Sequence, residues 1–154
     1  MLLISEILAS GKIPSADALV CCKTTDPTRK AIEQMAANKI GAILVKDADD
    51  RLAGVYSERD VVMNCAGNDA GFMEEKLGNV MSAKVIDVSP DQTIDDAMQL
   101  MRRHGIRHLP VVEGRDLKGF LSLRDLMVAR LDYESEKSEF LKEQVHAFNS
   151  PLPM

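Results

Sequence analysis

Apolar and polar positions fall into blocks along the chain, and the same order of blocks occurs twice. Apolar runs at residues 19–22 and 85–88 have the length of short strands. Each leads into a polar turn, Thr25-Asp26-Pro27 or Ser89-Pro90-Asp91. Helical spacing follows: in the second block Ile94, Ala97, Met98 and Met101 share one face, and Thr93 with Asp96 forms a capping box. The helices stop near Asn38 and at Gly105. Apolar runs at 42–45 and 109–112 come next, then a turn rich in Asp, Gly and Arg, then second strands at 52–56 and 117–121. A further helix opens at Ser57 or Ser122. The pattern predicts a β-α-β-β-α unit of about 50 residues, present in tandem.

The two blocks align residue by residue. Ala31, Met35, Ile40 and Val45 meet Ala97, Met101, Ile106 and Val111 at an offset of 66. One residue is lost in the following loop, and Leu52, Gly54, Ser57, Arg59 and Asp60 then meet Leu117, Gly119, Ser122, Arg124 and Asp125 at an offset of 65. Four identities within seven residues speak for duplication. A unit of this size buries only about 60% of its unfolded surface, so the copies are expected to pack about a pseudo-twofold axis and share one core. The expected class is α/β (α+β). The expected organisation is a helical lead-in (1–16), repeat one (17–66), a linker (67–79) with Gly67, Asn68, Asp69, Ala70 and Gly71, repeat two (80–131), and a helix with a tail (132–154). Residues 2–9 read as a leading helix, 132–148 as a continuation of the last helix, and 151–153 as a loose tail.

The candidate chemistry lies at the strand-to-helix corners, Gly54 to Asp60 and Gly119 to Asp125. A Ser at a helix mouth offers its hydroxyl and free backbone N–H groups to an anion, aided by the helix dipole. An Asp one turn later can accept two hydrogen bonds from a vicinal diol, as in ribose, and the intervening Arg can reach a phosphate. Ser-x-x-Asp is equally a capping box that merely starts a helix. Spacing leaves both readings open.

Composition narrows the class. Of 154 residues, 45% are hydrophobic and 28% charged, which suits a globular core. Lys plus Arg number 19 against 24 Asp plus Glu, a net charge of −5, and no basic run stands out, so nucleic-acid binding is disfavoured. No apolar stretch approaches the roughly 20 residues needed to span a bilayer. The N-terminus lacks the basic segment of a secretory signal, and Glu6 interrupts its apolar residues. Cys21, Cys22 and Cys65 are an odd count without CxxC spacing and read as small buried hydrophobes, which points to the cytoplasm. His104, His108 and His146 lack metal-ligand spacing, and His104 reads as a partner of a helix C-terminus. Met35, Met98, Met101 and Met127 read as core, and the charged stretch 134–143 as a solvated helix face. No nucleophile, base and orienting group can be assembled, so no catalysis is expected.

The residues Ile40-Gly41-Ala42-Ile43-Leu44-Val45 with the first corner, and Val80-Met81-Ser82 and Ile106-Arg107-His108-Leu109-Pro110-Val111-Val112 with the second, resemble the tandem cystathionine-β-synthase (CBS) domain pair, or Bateman module. The resemblance covers residues 17–131, and in length and terminal helices the chain is similar to small stand-alone bacterial CBS-pair proteins. It implies a non-catalytic sensor that binds adenosine compounds between the repeats: AMP, ADP or ATP foremost, NAD(H) or S-adenosylmethionine otherwise. Asp60 and Asp125 would take ribose hydroxyls, with Ser57 and Ser122 near ribose or phosphate and Arg59 and Arg124 near the central axis. Each corner of such a pair faces the first and middle strands of the opposite copy. Ser57 and Asp60 would look toward Val85, Asp87, Arg107 and His108. Ser122 and Asp125 would look toward residues 21–24, including Cys22 and Thr24, and toward Ile40, Gly41 and Ala42. Arg107 and His108 would draw phosphate to the first cleft, and Asp87 would accept from an adenine amino group. The resemblance further implies a homodimer through helix faces carrying Val61, Val62, Leu126 and Met127, and an unidentified regulated protein. The alternatives are a dimerisation scaffold with vestigial clefts and an NAD(H)-responsive redox sensor.

Overall fold

The computed structural model describes residues 1–67 and 70–149, with side chains through 146. In chain order the elements are α1 (Ile4–Ala9), β1 (Cys21–Lys23), α2 (Thr28–Asn38), β2 (Ala42–Lys46), β3 (Leu52–Ser57), α3 (Glu58–Gly67), α4 (Leu77–Val80), α5 (Ile94–His104), β4 (His108–Glu113), β5 (Asp116–Ser122) and α6 (Leu123–Asn149). Short 3-10 turns occupy Ala16–Ala18 and Ala70–Glu74. Helix α5 starts on the expected capping box, the Thr93 hydroxyl accepting from the Asp96 N–H, and ends at Gly105 in the left-handed region. Helix α2 ends on Lys39, also left-handed, at φ 53°. The last helix runs unbroken through the stretch expected to continue it, while the tail at 151–153 lies outside the described residues. Among the described residues no helix is long and apolar enough to cross a membrane.

In the first half β1 runs parallel to β2, and β2 antiparallel to β3. In the second half β4 and β5 pair antiparallel, but the strand expected at 85–88 is reduced to one parallel bridge, Val88 to Val111. The reason is covalent. Val88 donates to the Pro110 carbonyl and accepts from the Val112 N–H; the next rung would need an N–H from Pro110, which has none. The first half has Leu44 at the matching position and keeps its ladder.

Two apolar clusters form, one per half, in place of the single shared core expected. Each is completed by the segment that precedes the other repeat. Helix α1 precedes repeat one, yet Ile4, Ile7 and Ile13 pack into the cluster of Val88, Leu109, Leu121 and Leu126. Helix α4 precedes repeat two, yet Leu77 packs with Cys22, Ala31, Met35 and Tyr56 of repeat one. Backbone bonds fasten both crossings: Ile4 N–H to the Gln92 carbonyl at 2.9 Å, and Leu77 N–H to the Asp26 carbonyl at 2.8 Å. The expected linker is therefore largely structured, with Phe72 and Leu77 buried; Asn68 and Asp69 lie outside the described residues.

Three side-chain expectations are corrected. Leu126, expected on an outer helix face, is fully buried in the second cluster. Met127, expected in the core, is 50% exposed because it lies on the opposite face of α6. Cys65 is exposed on α3, whereas Cys22 is buried and its thiol pKa is pushed up to about 11, mainly by burial, which leaves it inert.

Candidate functional site

Each corner is built where a strand passes under the crossing segment. A Cβ on Gly54 would lie 2.5 Å from Met81 Sδ and 2.7 Å from the Ser82 carbonyl oxygen. On Gly119 it would lie 2.6 Å from Leu8 Cδ2. At Gly54 the close atom includes backbone, so only glycine lets β3 run this close; at Gly119 it is the end of a side chain. At the first corner one Asp60 oxygen, Oδ2, accepts from the Ser57 N–H at 2.8 Å and the Ser57 hydroxyl at 3.0 Å. At the second, Asp125 Oδ2 accepts from the Ser122 N–H and hydroxyl, both at 2.8 Å. Both corners are thus capping boxes, and in each the second carboxylate oxygen, Oδ1, takes no part in the cap.

What surrounds the two corners differs. A cavity of about 240 Å³ opens at the first, between the halves. Ser57, Arg59, Asp60, Val85, Arg107 and His108 line it, together with Gly41 and Ala42. Gly41 and Ala42 were expected to face Asp125; they belong here because Ala42 pairs with Ser57 in the antiparallel β2–β3 ladder, beside its own corner. The lining also includes Ile86, inside the expected stretch 85–87, and Glu58, Ser82, Lys84 and Ile106, which sequence reasoning did not single out. Lys84 adjoins Val85, and Glu58 lies inside the corner motif, so proximity in sequence was the available signal. A Cβ on Gly41 would sit 2.6 Å from Glu58 Oε1 and 3.4 Å from His108 Cε1, which makes that carboxylate and imidazole neighbours.

Four expected residues lie elsewhere. Cys22 is in the first core, since its side chain points to the sheet face covered by α2 and α4. Thr24 sits beyond the far end of β1, where its carbonyl accepts from the Gly78 N–H. Ile40 packs against the first core. Asp87 is exposed and outside the cavity lining. Arg124 and Asp125 border a different hollow, about 260 Å³, between α1 and α6; Ser122 is not part of its lining.

The electrostatics of the first cavity favour an anion. Arg59, Lys84 and Arg107 bring three cations against the carboxylates of Glu58 and Asp60. Arg59 Nη1 donates at 2.6 Å to the Gly105 carbonyl at the end of α5, a bond from one half to the other. His108 stacks at a tilt on Phe120, ring centroids 5.6 Å apart. Burial, and after it the charge of Arg107, holds the His108 pKa below its ordinary value, while Glu58 and Asp125 pull it upward. Among the described residues no group of three or more His, Cys, Asp or Glu is placed to hold a metal ion.

The CBS domain family model matches residues 11–67 and again 77–132. The chain belongs to the CBS-domain family. Its relatives include the CBS domain-containing protein CBSX3, mitochondrial, of Arabidopsis thaliana, 30% identical over 146 residues, with 92% of this chain and 71% of that one covered. The chain spans between 42% and 71% of the length of three curated relatives. The CBS-domain containing protein ATU1752 from Agrobacterium tumefaciens superposes with a TM-score of 0.76 at 29% identity, covering 83% of this chain and 92% of that structure. The CBS domain protein PAE2072 from Pyrobaculum aerophilum, solved as a complex with AMP, gives a TM-score of 0.68 at 29% identity, covering 80% and 89%. CBS domains are in general regulatory rather than catalytic modules.

Proposed function

We propose that this CBS pair binds one adenine nucleotide, AMP foremost, in the cavity at Asp60 and reports its presence through the packing of its two halves. The observation that carries this reading is the convergence of a diol-accepting carboxylate, a helix mouth and three cations on one hollow between the repeats. Asp60 Oδ1, outside the cap, would accept the ribose hydroxyls. Ser57 and Arg107 would stand near the phosphate, His108 beside them, and Val85 and Ile86 against the base. At about 240 Å³ the cavity lies just under the usual range for small-molecule sites, roughly 300–1,000 Å³, which suits a mononucleotide better than NAD(H). The AMP complex of the Pyrobaculum aerophilum relative supports the same ligand class. Occupancy signals only if the two packings differ in affinity for the nucleotide.

The scaffold reading draws on a specific observation too: both corner aspartates already cap their own helices. A melting panel decides between the two. At 100 times its Kd a ligand adds about 2.7 kcal/mol, and each kcal/mol raises Tm by roughly 2–4 °C at this size. AMP is expected to raise Tm by several degrees, more than NADH or S-adenosylmethionine. A flat response to every adenosine compound would leave the scaffold.

A further inference from the structure

We propose that Arg59 is a nucleotide-released latch between the two halves: its bond to the Gly105 carbonyl holds the unliganded packing, and a phosphate in the cavity takes the guanidinium away. This rests on the nucleotide reading above and adds how occupancy would leave the cavity. Arg59 stands on the first turn of α3 in repeat one and is part of the cavity wall. Its partner, 2.6 Å away, is the residue that ends α5 in repeat two. Gly105 sits at φ 64° and is followed directly by Ile106, Arg107 and His108, all in the same wall. One guanidinium therefore ties the mouth of one repeat's helix to the tail of the other's, at the edge of the hollow.

Charge favours the exchange. A helix C-terminus attracts a cation through its unsatisfied carbonyls, but a phosphate carries full negative charge and can engage a guanidinium with two parallel bonds. Two parallel bonds to phosphate draw the guanidinium off the Gly105 carbonyl, so the nucleotide favours the open latch, which is the differential affinity a signal requires. The device is one-sided. Arg124, the equivalent residue at the second corner, makes no hydrogen bond or ion pair among the described residues, and the equivalent helix ends on Lys39. A ligand at the first corner thus loosens one connection without a counterpart.

The Gly105 amide is the reporter. It lies outside the cavity wall, and its N–H closes the last turn of α5 on the Arg102 carbonyl. In hydrogen exchange followed by NMR on the full chain, saturating AMP is expected to speed exchange at Gly105 by at least about tenfold, as the loss of one charge-assisted bond would. Arg59→Met without nucleotide is expected to exchange at that faster rate already. Because Arg59 is exposed, the variant is expected to fold, and its melting curve verifies this. Unchanged or slower exchange at Gly105 in the parent with AMP overturns the latch, as does an Arg59→Met rate equal to that of the unliganded parent. If AMP produces no melting shift in the parent, the nucleotide reading fails and the latch with it.

Discussion

His108 shows how the cavity wall shapes a single residue. Burial disfavours its charged form and Arg107 adds repulsion, with Glu58 and Asp125 opposing them. Its folded-state pKa therefore lies below the unfolded value of about 6.5. Between those two values the unfolded chain holds more protons, so this contribution to stability is complete above the unfolded pKa and is lost as pH falls through the depressed one. Melting of the parent without nucleotide is expected to fall on acidification through this window, and less steeply in His108→Gln; parallel curves for the two proteins would remove His108 from the account. The corner motif was visible in sequence, but spacing left cap and ligand roles undecided. The cap is now plain at both corners, and it leaves Asp60 Oδ1 outside the cap at the corner whose Ser, Arg and Asp line one hollow.

At the scale of elements, hydrophobic periodicity made the duplicated strands and helices legible, because the same alternation was written twice. It did not reveal the loss of the strand at 85–88. That loss depends on a missing N–H at Pro110, across the ladder from Ile86 and invisible to the pattern of Val85, Ile86 and Val88 themselves. Nor did it show the crossing of α1 and α4, since an apolar helix does not say which of two similar sheets it will cover. The crossing explains the two corner glycines and separates them. Gly54 is pressed by the backbone oxygen of Ser82, which cannot turn aside, whereas Gly119 meets only the end of the flexible Leu8 side chain. Gly54→Ala is thus expected to cost about 1–3 kcal/mol as overpacking, and Gly119→Ala less than about 1 kcal/mol. Thermal or urea melts of the two variants test this; equal losses would mean that the crossing segments do not grip the corners as described.

The whole molecule carries an unpartnered apolar face. Val62 and Met63 on α3 and Met127, Val128 and Leu131 on α6 are exposed, at matching positions in the two repeats or nearly so, with Leu131 69% exposed. Exposed apolar side chains at equivalent positions of both repeats suit an interaction surface, and we propose that a second copy covers them, through Met127 and Leu131 rather than the buried Leu126. Leu131→Glu is expected to shift the sedimentation or light-scattering mass from dimer to monomer, and a parent that is already monomeric would contradict the proposal. Sequence misplaced Cys22 and Ile40 because an apolar run does not say which face of its sheet each side chain joins; both turn into the first core.

The central claim is that nucleotide sits at the Asp60 corner and nowhere else in the chain. Titration calorimetry of AMP into the parent, Asp60→Ala and Asp125→Ala tests it most directly. Both substitutions remove the same pair of hydrogen bonds from a corner Ser, so they are matched for damage to the fold. The account predicts one AMP per chain in the parent, a loss of affinity of at least about tenfold in Asp60→Ala, which is about 1.4 kcal/mol, and parent-like binding in Asp125→Ala. Two equivalents per chain, or equal losses in the two variants, would contradict it.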